Sequence, residues 1–114
     1  MKEYMLLIRG GDARMAELTE EQTQEHMAKW GSYMGELGQK GHLVGGLPFT
    51  QEGRILTNHG TKSDVVRSEA GEPIGGYLQI KADDYDHALG LAKNCPVFEH
   101  DGSIEIREIM PMDM

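Results

Sequence analysis

The sequence predicts an α+β fold, a ferredoxin-like split β-α-β sandwich whose antiparallel sheet carries both helices on one face. Three observations predict it. Residues 74–109 read as strand, helix, turn and strand. The first fifty residues read as strand, helix and strand. Between them, residues 50–73 hold only a short hairpin pattern. Two split β-α-β halves joined in this way place the first strand at the centre, between the strands at 74–82 and 103–109. The other sheet face then lacks a helix, so it faces water or a second copy of the chain.

Each element has its own justification. Lys2 to Arg9 is a strand that sends Tyr4, Leu6 and Ile8 one way and Met5, Leu7 and Arg9 the other. Gly10, Gly11 and Asp12 break it, and residues 12–18 connect. Thr19 heads Thr-Glu-Glu-Gln, a capping box in which Gln22 reaches back and two glutamates favour the positive helix end. Met27, Trp30, Met34 and Leu37 recur at helical spacing and predict the buried stripe. Gly38 and Gly41 weaken and end that helix. His42 to Phe49 is a second strand, and Gly45-Gly46 inside it predicts a bulge or a close approach. Arg54–Thr57 and Ser63–Arg67 form the hairpin around an Asn58-His59-Gly60 turn, and Glu69 to Pro73 is a polar loop. Ile74 to Ala82 alternates again. Asp83 and Asp84 offer the next N-cap, Tyr85, Ala88, Leu89 and Ala92 the next stripe, and Pro96 stops the helix. Ser103 to Ile109 is the last strand, with Ile104 and Ile106 on one face.

Composition bounds the function. The 114 residues suit one domain, 1–114, with a modest core that self-association commonly supplements. The formal net charge of −8, with no basic cluster, argues against nucleic acid as a partner. A single cysteine, Cys95, excludes an intrachain disulfide and fits a reducing compartment. Tyr4 to Ile8 is only strand length and resembles no signal peptide, so a cytoplasmic protein without membrane contact is expected.

Candidate chemistry is sparse. Among the histidines at 26, 42, 59, 87 and 100 there is no His-x-x-x-His or cysteine pairing, so no metal is expected, and no cofactor motif appears. His26, one turn before Trp30, is the candidate for acid–base work; the alternative is an inert histidine on a helix surface. Cys95 at a helix C-terminus makes a poor nucleophile. Strand alternation gathers Arg9, Tyr77, Gln79, Glu105 and Arg107 on the face away from the helices. Such a wall suits a small anionic or polar ligand; it equally suits an interface of ion pairs with no ligand. Glu105 is expected to neutralise only one of the two arginines.

The opening MKEYMLLIRG, the helix end GELGQKGHLVGG and the run IGGYLQIKADDYDHALGLAKNCPVFEHDGSIEIREI together resemble the YCII-related family in its DGPF-domain branch, over nearly the whole chain. That resemblance implies a dimeric α+β barrel in which two ferredoxin-like sheets face each other. The Asp-Gly-Pro-Phe run that names the branch is here Asp64-Val65-Val66-Arg67, with Glu69 and Glu72 following. In smaller relatives a helix histidine and an aspartate are proposed as a catalytic pair. Trp30 and Cys95-Pro96 stand at the matching positions, so that chemistry does not carry over. A label of transcription initiation sometimes attached to DGPF proteins gains no support from the acidic charge. The reading is a small-molecule binding protein or a cofactor-free isomerase or lyase working as a homodimer. Its alternative is a non-enzymatic interaction or regulatory subunit.

Overall fold

The chain forms, in order, β1 (Lys2–Arg9), α1 (Glu20–Gln39), β2 (Leu43–Pro48), β3 (Arg54–Thr57), β4 (Thr61–Asp64), β5 (Ile74–Ala82), α2 (Tyr85–Ala92), a 3₁₀ helix (Pro96–His100) and β6 (Ser103–Glu108). This is a computed structural model that describes residues 1–10, 18–50, 52–57, 61–64 and 74–112. The Asn58-His59-Gly60 turn, the 69–73 loop and most of the segment that replaces Asp-Gly-Pro-Phe lie outside the described residues, as does most of the connector after β1. The described return strand of the hairpin is Thr61–Asp64, earlier than the expected Ser63–Arg67.

Four strands make one antiparallel sheet in the order β2-β5-β1-β6, the ferredoxin-like arrangement, and β3 and β4 pair apart from it. β1 is central as expected: Leu6 faces Leu78 of β5 on one side and Ile106 of β6 on the other. Tyr4, Leu6, Ile8, Leu78, Ile80 and Ala82 are buried on one sheet face, where they meet Tyr33 and Leu37 of α1 and Ala88 and Ala92 of α2. The apolar set of each strand therefore lies under the helices, which is where the alternation assigned it.

α1 begins as its sequence dictates. Thr19 accepts a hydrogen bond from the Gln22 N–H, the Gln22 side chain accepts from the Thr19 N–H, and Glu20 and Glu21 occupy the first turn. It ends at Lys40, and Gly41 supplies the left-handed φ of +76° that turns the chain into β2. The inward stripe differs from the expected one. His26, Tyr33 and Leu37 are buried and Trp30 and Met34 half-buried, while Met27 is 59% exposed. The spacing 26, 30, 33, 37 also follows a 3.6-residue period, with the axis turned by about one residue from the expected stripe. α2 departs similarly: Asp84 caps it by accepting from the His87 N–H, but Tyr85 and Leu89 are exposed and Leu91 packs instead. After Pro96 the chain forms the 3₁₀ helix rather than a plain turn.

The glycines of β2 mark both a bulge and a close approach. Register shifts between Leu43 and Gly45. A Cβ on Gly46 would stand 2.5 Å from Leu78 Cδ2 and 2.7 Å from the Tyr77 carbonyl oxygen. The leucine can turn away; the backbone oxygen, held in the ladder, cannot. Gly46→Ala is therefore expected to destabilise the fold by about 1–3 kcal/mol in chemical denaturation. An unchanged midpoint would show that β2 is free to move off β5.

Candidate functional site

The side chains with the most unusual surroundings lie on α1 and the 3₁₀ helix. His26, whose two sequence readings are an acid–base group and an inert histidine on a helix surface, is only 7% exposed. A buried imidazole needs partners for both ring nitrogens, and it has them. Trp30 Nε1 donates to His26 Nε2 at 3.0 Å, one helical turn along. His26 Nδ1 lies 3.2 Å from His100 Nε2, and the two imidazoles meet edge to face with centroids 4.4 Å apart. Lys29 reaches Glu99 at 2.9 Å and so fastens the 3₁₀ helix to α1 beside this pair. That contact holds the Glu99 carboxyl below its ordinary range.

The proton positions follow from valence. An indole nitrogen only donates, so His26 Nε2 must accept and its ring is neutral. Neutral His26 then carries its hydrogen on Nδ1 and donates it to His100 Nε2. Burial holds the His26 pKa below the ordinary 6.5, with His100 and Lys29 acting in the same direction and Glu99 against them. Protonating His26 would set an N–H against the Trp30 N–H, a steric and electrostatic conflict that the same geometry explains.

Both histidines line a cavity of about 290 Å³ between α1 and the ends of β1, β2 and β5. Apart from Tyr77, its other walls are apolar: Ile8, Met27, Trp30, Met34, Leu47 and Val97 contribute, and Met27 and Leu47 stand exposed at its rim. A concave, mostly apolar site with a few convergent polar groups is the usual form of a small-molecule pocket, and this volume lies at the small end of the range.

The wall expected on the open face is laid out by register. Tyr77, Leu7 and Glu105 form one row across β5, β1 and β6, and Gln79, Met5 and Arg107 the next. Glu105 divides its carboxylate: Oε1 accepts from Arg9 Nη2 at 3.5 Å and Oε2 from Arg107 Nη1 at 3.3 Å. The expectation that it would serve one arginine alone is thus corrected, because each guanidinium approaches a different oxygen. Gln79 donates to Glu3 Oε1 at 3.2 Å. Tyr77 stands apart from the ion pairs, stacks loosely on Phe49 with centroids 5.9 Å apart, and lines the α1 cavity.

Cys95 is buried, and burial pushes its thiol up to about 11, which removes it as a nucleophile at neutral pH. Among the described residues no group of three His, Cys, Asp or Glu could hold a metal ion. Nor is any described helix long and apolar enough to cross a membrane. His100 is the site residue that sequence reading missed. The local pair His26 and Trp30, four residues apart, was its only visible sign, since the third member lies 74 residues further on.

A family model, the YCII-related domain, matches residues 2–113. No curated protein matches the chain.

The lowered His26 pKa gives a pH dependence. The unfolded chain takes up a proton near pH 6.5 while folded His26 does not, so this contribution to stability is present above 6.5. It is lost as pH falls toward the lower folded-state value. An NMR titration should place the His26 midpoint below 6.5, and Trp30→Phe, which frees Nε2, should raise it. A wild-type midpoint at or above 6.5 would contradict the hydrogen-bond assignment.

Proposed function

The chain belongs to the YCII-related family, and on that premise we propose that it binds a small, largely apolar molecule in the cavity between α1 and the sheet. The His26–His100 pair is the polar group that meets the ligand. One observation carries this reading: two imidazoles, hydrogen-bonded to each other, open onto a cavity of about 290 Å³ that is otherwise mostly apolar. Polar groups in such walls are retained where they orient a ligand or move a proton. The reaction class that suits them is cofactor-free isomerisation or lysis in which the pair donates to a ligand oxygen rather than abstracting a proton. Placement in the DGPF branch belongs to the same reading.

We assign the open sheet face to a second copy of the chain, giving a homodimer. Support comes from half-buried Met5 and Leu7 at the middle of a face that the two helices leave uncovered. The Arg9–Glu105–Arg107 ion pairs favour a second reading, in which Arg9, Tyr77, Gln79, Glu105 and Arg107 form a contact surface of a non-enzymatic interaction module. A small anionic ligand on that wall would have to compete with Glu105 for both guanidiniums.

The two readings separate in one experiment. Trp30 is the chain's single tryptophan and lines the cavity, so its emission reports occupancy directly. A panel of small aromatic and alicyclic ketones and acids should contain a compound that quenches Trp30 saturably and raises the melting temperature. At 100 times its dissociation constant the gain is about 2.7 kcal/mol. Arg9→Ala should leave that gain intact; its loss would return the site to the open face. Sedimentation at micromolar concentration should show twice the chain mass, and a folded monomer there would contradict the assignment of the open face.

A further inference from the structure

Resting on the cavity as a ligand site, we propose that His100 offers the ligand an N–H donor of fixed direction, so that the site selects apolar carbonyl compounds. The order Trp30, His26, His100 can run only one way. Trp30 Nε1 donates to His26 Nε2, so the His26 hydrogen is on Nδ1 and goes to His100 Nε2. His100 Nε2 is thereby occupied as an acceptor, and the neutral ring carries its own hydrogen on Nδ1. The reverse order would need a hydrogen on His26 Nε2, pointing at the hydrogen of Trp30. Among the described residues no group hydrogen-bonds to His100 Nδ1, and His100 lines the cavity. The sequence of bonds therefore ends in a donor, and the pair has no lone pair left with which to act as a base.

His100 shares the cavity lining with Ile8, Met34, Leu47 and Val97, and its donor, turned to that cavity, discriminates between ligand oxygens and ligand carbons. In an apolar wall an unpaired N–H is costly, and a ligand that lacks an acceptor leaves it unpaired. Each hydrogen bond in a connected series also polarises the next, which strengthens the terminal donor. A carbonyl oxygen fits this donor because it accepts without bringing a hydrogen of its own. A ligand amine or hydroxyl hydrogen in that place would confront the His100 N–H.

Acetophenone and α-methylstyrene test this directly, since they share a shape and differ in C=O against C=CH2. Titrated against Trp30 emission, acetophenone should bind about five- to tenfold more tightly. His100→Phe should erase the preference while still admitting both. Equal binding of the two compounds to the unaltered protein would overturn the donor assignment and leave the cavity reading standing. If neither compound binds at millimolar concentration, the cavity reading fails and this inference falls with it. Nitrogen-15 NMR of the unaltered protein gives a check that needs no variant: both rings should be Nδ1–H tautomers. An Nε2–H signal from either histidine at pH 8 would overturn the proposal.

Discussion

β1 hydrogen-bonds to β5 along one edge and to β6 along the other, and the two halves of the chain are joined through it. A strand with neighbours on both sides leaves no free edge, so all its backbone groups can be paired within the sheet. Its period of two then fixes what lies above and below. Tyr4, Leu6 and Ile8 define the side on which both helices must pack, and Met5 and Leu7 define the other. A slip of one residue against either neighbour would put the core on the outside. The position of α1, and with it the position of His26, follows from this register.

Along α1 a second constraint operates, that of partners for a buried polar ring. Burial of His26 is tolerable because Trp30 stands one turn away with an N–H that can only donate, and His100 receives the hydrogen on the other nitrogen. Removing water from this site strengthens both bonds and raises the cost of any added charge. The neutral state and the closeness of the two imidazoles have one cause. The Lys29–Glu99 pair acts on the exposed side of the same contact and brings the 3₁₀ helix against α1, which sets where His100 stands.

The features legible in the sequence were those written in local patterns. The capping box at Thr19 to Gln22, the two faces of β1, β5 and β6 and the central place of β1 all follow from spacing and from chain order. The glycines of β2 announced a close approach, and Gly46 against Tyr77 is one. The buried stripe of α1 was less legible. Hydropathy prefers Met27 to His26, yet the partners of His26 are side chains, and a scale of single residues contains no term for them. Leu89 misled in the same way, since an eight-residue helix has room to bury Leu91 instead. His100 was out of reach for a different reason: it meets His26 only through the packing of a 3₁₀ helix against α1, a contact with no local signature.

The two faces of the sheet also differ in how their charges are satisfied. On the open face, Arg9 and Arg107 share one carboxylate and Gln79 turns to Glu3, so a ligand there must displace bonds that already exist. Among the described residues that line the cavity under α1 none is in an ion pair; they offer a largely apolar wall and a neutral series of hydrogen bonds. A ligand at the proposed second site would gain from burial without the cost of stripping water or counter-charge from a guanidinium. Parity separates the two faces along β1, yet Tyr77, in the open-face row with Leu7 and Glu105, also lines the cavity at the end of the sheet. Odd positions of β1 turn Glu3, Met5, Leu7 and Arg9 to the open face, while Tyr4, Leu6 and Ile8 are buried under the helices and Ile8 also lines the cavity.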